Sequence, residues 1–226
     1  MKSIVSCIFA ALVASSASAL AVDVRFLAWD EAIAARQVAV ADGEKTTEIK
    51  NLHPLQRTEA IGTTASEGIV TVRALDKKSP EGKPLDVAVK LGGSMTKPLI
   101  ILLPDAKAAT GLRGFAIEDD SSSFAWGSFR VLNATGKVLN MALGNERKQL
   151  PVGWQPVDLK PGGDKPVPVV LVSPEAPKAP LYSGVWKPEP DVRRLVIVVP
   201  GTDVRLGPIA LKVIPEDRRT LTTVSN

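Results

Sequence analysis

The sequence predicts an all-β protein in which two tandem β-sandwich domains follow a cleaved signal peptide. Short apolar and β-branched segments recur at close intervals, 17 glycines and 18 prolines separate them, and one order of segments occurs twice. Many short strands joined by glycine- and proline-containing turns are typical of sandwiches. Hydrophobic residues at 45% and charged residues at 23% match a globular composition, so we expect packed cores.

The first 19 residues have the order of a secretory signal peptide. Lys2 supplies a positive charge, residues 4–13 are apolar, and Ala17, Ser18 and Ala19 form an A-x-A cleavage site. The apolar run of about ten residues is half of the roughly twenty that a membrane-spanning helix needs. We therefore expect cleavage after Ala19, no membrane span in the mature chain, and a periplasmic or extracellular location.

Cys7, the only cysteine, lies within this leader. The mature chain is therefore expected to lack disulfides, thiol nucleophiles and thiolate metal ligands. Small extracellular domains of animals commonly carry disulfides, so a cysteine-free exported chain favours a bacterial envelope. The net charge is only +4, and no basic run with interleaved aromatic residues occurs, which argues against nucleic-acid binding.

The first domain is predicted to span residues 20–112. Its predicted strands lie at residues 24–29, 38–40, 69–75, 85–91 and 99–103. In residues 85–91 the apolar side chains alternate with polar or small ones, which is the pattern of a half-buried strand. Residues 99–103 are an unbroken apolar run between Pro98 and Pro104, which predicts a strand buried on both faces. Residues 30–37 favour either a short helix or a loop.

The second domain is predicted to span residues 113–215, before a frayed tail at residues 216–226. Residues 129–132 and 138–143 predict a β-hairpin across a turn at 133–136. Residues 167–172 predict an edge strand, because Pro168 cannot donate a ladder hydrogen bond. Further strands are predicted at residues 181–186, 195–199 and 209–214.

One pattern occurs in both domains. Residues 97–105 and 193–201 each hold five consecutive aliphatic residues that end at a proline, and each follows an opening strand with an arginine, Arg25 or Arg130. We interpret this as a tandem duplication of one β module; the alternative is two β domains whose apolar strands are alike by chance. The order of opening strand, hairpin and apolar closing strand resembles that of secreted immunoglobulin-like sandwiches, without their cysteine pair.

The sequence contains no recognisable catalytic set. His53 is the only histidine and precedes Pro54 in a predicted loop, and no G-x-S-x-G motif occurs. Paired carboxylates could still serve an envelope polysaccharide hydrolase. The candidates by residue type are Asp30, Glu31, Asp119 and Asp120. We expect no enzyme, and assign no catalytic residue.

A metal site has little support in the sequence. The adjacent oxygen donors Glu118, Asp119 and Asp120 suggest a calcium-stabilised adhesive module as an alternative, although the spacing of a calcium-binding loop is missing. A solvated acidic linker is the simpler interpretation. We assign no metal ion and no cofactor.

Tryptophans are the best candidates for a binding surface. Three of the four lie in the second domain, Trp126, Trp154 and Trp186. Indole rings can stack on sugars or anchor a protein partner, but they can also fill the core of a sandwich. We predict a non-enzymatic exported module that acts in binding or envelope assembly, through these tryptophans, on an unknown protein or glycan of the cell envelope.

Overall fold

The computed structural model describes residues 19–93, 95–203 and 205–221. Strands hold 55% of these residues and helices 4%, which confirms the predicted all-β class. The predicted signal peptide, apart from Ala19, lies outside the described residues. Within them, no helix has the length and apolar character needed to cross a membrane.

The first half of the chain contains eight strands and one short helix. They are β1 (Ala19–Ala28), α1 (Glu31–Ala34), β2 (Val38–Asp42), β3 (Lys45–Glu48), β4 (Ile61–Ser66), β5 (Ile69–Lys78), β6 (Pro84–Lys90), β7 (Pro98–Pro104) and β8 (Leu112–Glu118). The helical alternative for residues 30–37 is confirmed over a single turn, which the Asp30 side chain caps by accepting the Ile33 N–H at 2.9 Å.

The second half also contains eight strands. They are β9 (Phe129–Asn133), β10 (Leu139–Leu143), β11 (Glu146–Leu150), β12 (Val157–Leu159), β13 (Val167–Ser173), β14 (Ala176–Trp186), β15 (Val192–Pro200) and β16 (Ile209–Asp217), and α2 (Arg218–Leu221) follows. The predicted domain boundary at residue 112 coincides with the first residue of β8, which pairs with β7. The predicted tail begins at Glu216, which belongs to β16.

Strand β1 changes partners along its length and so folds the first sheet onto itself. Its residues 19–24 pair antiparallel with β4, and its residues 25–28 pair parallel with β7. The whole sheet has the order β3-β2-β5-β4-β1-β7-β8, with β6 added beside β5. Side chains from β1, β2, β5, β6 and β7 meet in one apolar core, which we call the first core.

The second half forms two four-stranded sheets, β12-β9-β15-β16 and β11-β10-β13-β14. Apolar side chains of both sheets enclose the second core. A third core, the junction core, lies where the two halves meet. Its buried members are Leu27, Leu99, Ile101, Leu103, Ile117, Phe124, Leu132, Leu195, Ile197 and Ile214.

The two aliphatic runs lie at the centre of this arrangement. In β7, Ile100 and Leu102 enter the first core while the alternate residues enter the junction core. In β15, Val196 and Val198 enter the second core while Leu195 and Ile197 enter the junction core. The predicted burial of residues 99–103 on both faces is therefore confirmed, because a strand in contact with two cores has no polar face.

Two predictions about strand pairing are wrong. Strands β9 and β10 do not form a hairpin, since β9 pairs with β12 and β15 while β10 pairs with β11 and β13. The link between them passes from one sheet to the other. There the buried Asn133 amide donates hydrogen bonds to the carbonyls of Lys137 at 2.7 Å and Leu150 at 3.0 Å. These bonds give two backbone carbonyls beside the link a hydrogen-bond partner.

Strand β13 is internal, not an edge strand, because it pairs with both β10 and β14. The Pro168 carbonyl accepts the Gly144 N–H at 2.8 Å on the β10 side, so its missing N–H also faces that side. Strand β10 ends at Leu143, opposite Val169. Pro168 is therefore tolerated because no ladder acceptor of β10 lies opposite it.

Candidate functional site

The three predicted tryptophans are half-buried and have different neighbours. The Trp154 ring lies 5.4 Å from the rings of both Trp29 and Phe115, at the edge of the junction core. The Arg193 guanidinium lies 4.8 Å from the centre of the Trp126 ring. Among the described residues no ring contact joins any two of the three tryptophans. They do not form one continuous stacking surface by direct contact.

Trp186 lines an apolar groove of about 230 Å³ in the second half. Its ring lies 5.0 Å from the Phe129 ring, and its indole N–H donates to the Tyr182 hydroxyl at 3.1 Å. Val196 forms part of the floor, and Val213, 39% exposed, forms one wall. The groove therefore exposes side chains at the margin of the second core.

The groove lies between two outer strands and has a charged rim. Strand β14 carries Trp186 and β16 carries Val213, and each is the last strand of its sheet. Lys187, Glu189 and Arg194 line the same groove, and Arg194 forms an ion pair with Glu189. An apolar floor with a polar rim is the usual anatomy of a contact surface for a protein or a ligand.

A buried charge cluster lies where the halves meet, and the sequence did not predict it. Its members are Arg25, Arg57, Asp119, Arg193 and Glu216. The Asp119 side chain has no exposed surface, and those of Arg57 and Arg193 are each 3% exposed. Because ions are costly to bury, these side chains stay ionised only through their mutual contacts.

The two carboxylates bind the three guanidinium groups in a shared network. Arg57 binds Asp119 through Nε at 2.9 Å and Nη2 at 3.2 Å. Arg193 binds Glu216 through Nε at 2.6 Å and Nη2 at 2.5 Å. Arg25 contacts both carboxylates, one with each terminal nitrogen. Three positive charges thus face two negative charges, which leaves one excess positive charge in the cluster.

The pKa values of the cluster reflect this balance. Burial raises the pKa of the Asp119 carboxyl, but the positive charges of Arg57, Arg25 and Arg193 outweigh it and hold that pKa below its ordinary value. Burial lowers the pKa of Arg57, but Asp119 and Glu216 outweigh it and hold that pKa above its ordinary value. Both groups are therefore ionised at neutral pH.

Arg193 behaves differently within the same cluster. Burial and the like charge of Arg57 lower its pKa, against the opposing effect of Asp119 and Glu216. The lowered pKa is consistent with a cluster that has more guanidinium groups than carboxylates. Phe124 packs against the same side chain, with its ring centre 4.9 Å away, and its carbonyl accepts the Arg193 Nη1–H at 3.0 Å.

One donor of the cluster has no acceptor. Arg57 Nη1 is buried, and no hydrogen-bond partner for it exists in the described part of the chain. An unsatisfied buried donor costs about 1–3 kcal/mol, and more when it carries charge. Arg57 lines a cavity of about 690 Å³ at the end of β16, together with Arg25, Gln56 and Glu59.

Three of the four carboxylates considered for catalysis have structural roles, and the fourth, Glu31, is exposed in the first turn of α1. Asp119 belongs to the charge cluster, and Asp30 caps α1. Asp120 accepts the Ser122 N–H at 2.7 Å and pairs with Lys97 at 3.1 Å, contacts that hold the pKa of Asp120 far below its ordinary value. Glu118 accepts the backbone N–H groups of residues 96, 119 and 120.

The histidine and the acidic stretch take part in local hydrogen bonds. His53 is exposed, and its Nδ1 accepts the Leu55 N–H at 3.0 Å within a turn. No group of three or more histidine, cysteine, aspartate or glutamate side chains that could hold a metal ion occurs within residues 19–93, 95–203 and 205–221.

The comparisons with known proteins add no function to this geometry. No protein-family model matches the chain, and no curated protein matches it.

Proposed function

We propose that the chain is an exported, non-enzymatic binding module of the bacterial envelope, and that it contacts a protein or glycan partner through the Trp186 groove. The single observation that carries the proposal is this groove, in which a half-exposed tryptophan lies above Phe129 between two outer strands. Tryptophan is enriched among the residues that dominate binding energy, because its large ring loses little conformational entropy when it binds.

The proposal narrows the predicted binding residues from three tryptophans to one. Trp154 packs on Trp29 and Phe115, and Trp126 packs beneath Arg193, so their rings are engaged within the protein. Trp186 also packs against the second core, but its groove has an exposed wall at Val213. We propose that Trp126 and Trp154 stabilise the contact between the two halves of the chain.

We further propose that the two halves are tandem copies of one immunoglobulin-like module. The supporting observation is the register of the central strands. Arg25 pairs with Leu99 in the first half, and Arg130 pairs with Leu195 in the second, both in parallel strands. Leu99 then pairs with Ile117, as Leu195 pairs with Ile214. Two unrelated sandwiches are not expected to share this register of strand pairing.

The lowered pKa values of two acidic residues, Asp119 and Asp120, support a non-enzymatic role. A general acid of a glycosidase needs a raised pKa, whereas the pKa of Asp119 is lowered by three arginines. Asp120 is likewise held ionised. These contacts favour binding over polysaccharide hydrolysis.

Site-specific photo-crosslinking tests the proposal. A photo-crosslinking residue at position 213 lines the groove, and the matched control is position 75, because Val213 and Leu75 are 39% and 41% exposed. In the native envelope we expect a discrete adduct from position 213 that is absent from position 75. The proposal is wrong if position 213 gives no adduct, or if both positions give the same set.

A further inference from the structure

Strand β14 has a row of backbone groups that no other strand binds in the described part of the chain. The Pro168 carbonyl faces β10, so the residues on either side of it direct their backbone groups to β14. Their partners in β14 are Trp186 and Gly184. Val185 lies between these two, so its N–H and C=O face outward, and those of Ser183 do the same. Each offers a donor and an acceptor to a further strand.

Both faces of β14 expose apolar surface beside this row. Trp186 lies on the face that forms the groove. Side chains alternate along a strand, so Val185 lies on the opposite face, where it is 68% exposed. A ligand confined to the groove leaves Val185 in water. A strand added beside β14 covers both, because its residues opposite Trp186 and Val185 place their side chains on the same faces as these two.

The other wall of the groove is a poorer edge for a further strand. The Arg194 N–H bonds to the Ser128 carbonyl on the β9 side, so its partner in β16, Pro215, faces outward. Proline has no N–H, and it therefore interrupts the outward row of β16. Residues 181–186 of β14 contain no proline. A strand beside β16 would also leave Val185 exposed.

The charges at the groove select the chemistry of the added strand. Arg194 pairs with Glu189, which leaves Lys187 as the excess positive charge of the groove lining. An acidic residue at this end of the added segment balances that charge. A second copy of β14 contains Lys178 and no acidic residue, so it would bring more positive charge to the edge. The charges thus favour an acidic foreign segment over a second copy of this chain.

We propose that the free edge of β14 binds an extended polypeptide segment of the partner as an additional strand. The segment has adjacent apolar residues opposite Val185 and Trp186, followed by an acidic residue beside Lys187. Main-chain hydrogen bonds at Ser183 and Val185 give affinity, and the side chain on the groove face gives specificity. This strand addition rests on the proposed function, since it specifies the partner of the Trp186 groove as a protein and not a glycan.

Amide hydrogen exchange of the unaltered protein tests the proposal. The probe is a synthetic peptide of the partner segment that crosslinks to position 213, which mass spectrometry of the adduct identifies. We expect the peptide to slow exchange of the Ser183 and Val185 amides by at least about ten-fold. The Gly184 and Trp186 amides bond to β13 and should be protected without the peptide. A ligand that only stacks on Trp186 does not protect alternate residues.

The matched variants are Val185→Pro and Gln149→Pro. The first removes an outward N–H and leaves the ladder to β13 intact, as Pro215 does in β16. Gln149 lies in β11, at the other end of the same sheet, and faces outward because its partner Asn140 bonds to β13. We expect Val185→Pro to weaken binding of the peptide by at least about ten-fold and Gln149→Pro to leave it unchanged.

The results distinguish failure of strand addition from failure of the proposed function. Strand addition is overturned, and the groove stays a contact surface, if the adduct at position 213 is a glycan or a second copy of the chain. A peptide that protects neither Ser183 nor Val185, or that binds both proline variants equally, has the same consequence. If Val185→Pro does not fold, the exchange pattern decides. Absence of any adduct at position 213 overturns both proposals.

Discussion

Asp119 accepts hydrogen bonds from two arginines although its side chain has no exposed surface. Replacing it with asparagine removes one of the two negative charges that face the three arginines. Breaking a buried ion pair costs about 3–5 kcal/mol, whereas an exposed pair contributes at most about 1 kcal/mol. We therefore expect Asp119→Asn to lower the free energy of unfolding by about 3–5 kcal/mol.

Chemical denaturation measures this loss, and Asp86→Asn is the matched control. Asp86 makes the same side-on contact with Arg73, at 2.8 and 2.9 Å, on the surface. We expect the control to lose no more than about 1 kcal/mol. Equal losses from the two variants would show that the cluster is not buried as described.

The cluster also predicts a pH dependence of stability. Because the pKa of Asp119 lies below its value of about 3.9 in an unfolded chain, its contribution is complete above that pH. The contribution is lost as the pH falls through the lower pKa of the folded state. The stability difference between the unaltered protein and Asp119→Asn should therefore shrink on acidification from about pH 5 to about pH 2. A difference independent of pH would contradict an ionised Asp119.

The sequence predicted little of this site at the residue scale. The sequence predicts a solvated acidic linker at Asp119, because three adjacent acidic residues normally face water. It predicts a frayed tail at Glu216. A signal was present, since Asp119 and Glu216 each lie two residues after an isoleucine of the junction core, Ile117 or Ile214. The repetition acquires a structural meaning only from the strand pairing, because β8 pairs with β7 in the same register in which β16 pairs with β15.

At the scale of elements, Gly114 allows β8 to pack closely against β6. A Cβ atom at position 114 would lie 2.4 Å from Val89 Cγ2, which is too close for any real contact. We expect Gly114→Ala to cost about 1–3 kcal/mol through overpacking. Equilibrium unfolding measures this cost.

Gly62→Ala is the control for Gly114→Ala. Gly62 also lies in a strand, but an added Cβ would meet only Asp23 Oδ1 at 3.7 Å. Alanine is preferred to glycine within a strand, so we expect the control to gain about 0.5 kcal/mol. A loss at position 62 as large as at position 114 would mean that overpacking between β6 and β8 is not the cause.

The sequence predicted the elements better than their partners. Apolar runs and alternation located β5, β6, β7 and β15, because burial on one or two faces leaves a pattern along the strand itself. The short polar strands β3 and β11 and the three-residue β12 have no such pattern. The sequence did not predict which strands pair. At Pro168, for example, the missing backbone N–H matters only if the neighbouring strand has an acceptor opposite it, and this depends on where that strand ends.

At the scale of the molecule, the three cores join the sheets into one stack. Strands β7 and β15 each contact two cores, and the junction core draws side chains from both. The charge cluster closes the same junction, with Arg25, Arg57 and Asp119 from the first half and Arg193 and Glu216 from the second. The halves are therefore coupled by apolar burial and by ion pairs.

Native-state amide hydrogen exchange tests this coupling most directly. Amides of residues 99–103 and 195–199 lie in strands that share the junction core, so both sets should exchange only through global unfolding. We expect their opening free energies to agree within about 1 kcal/mol and to equal the free energy of unfolding from denaturation. Opening of one strand at a free energy lower by about 3 kcal/mol or more would show that the halves unfold independently.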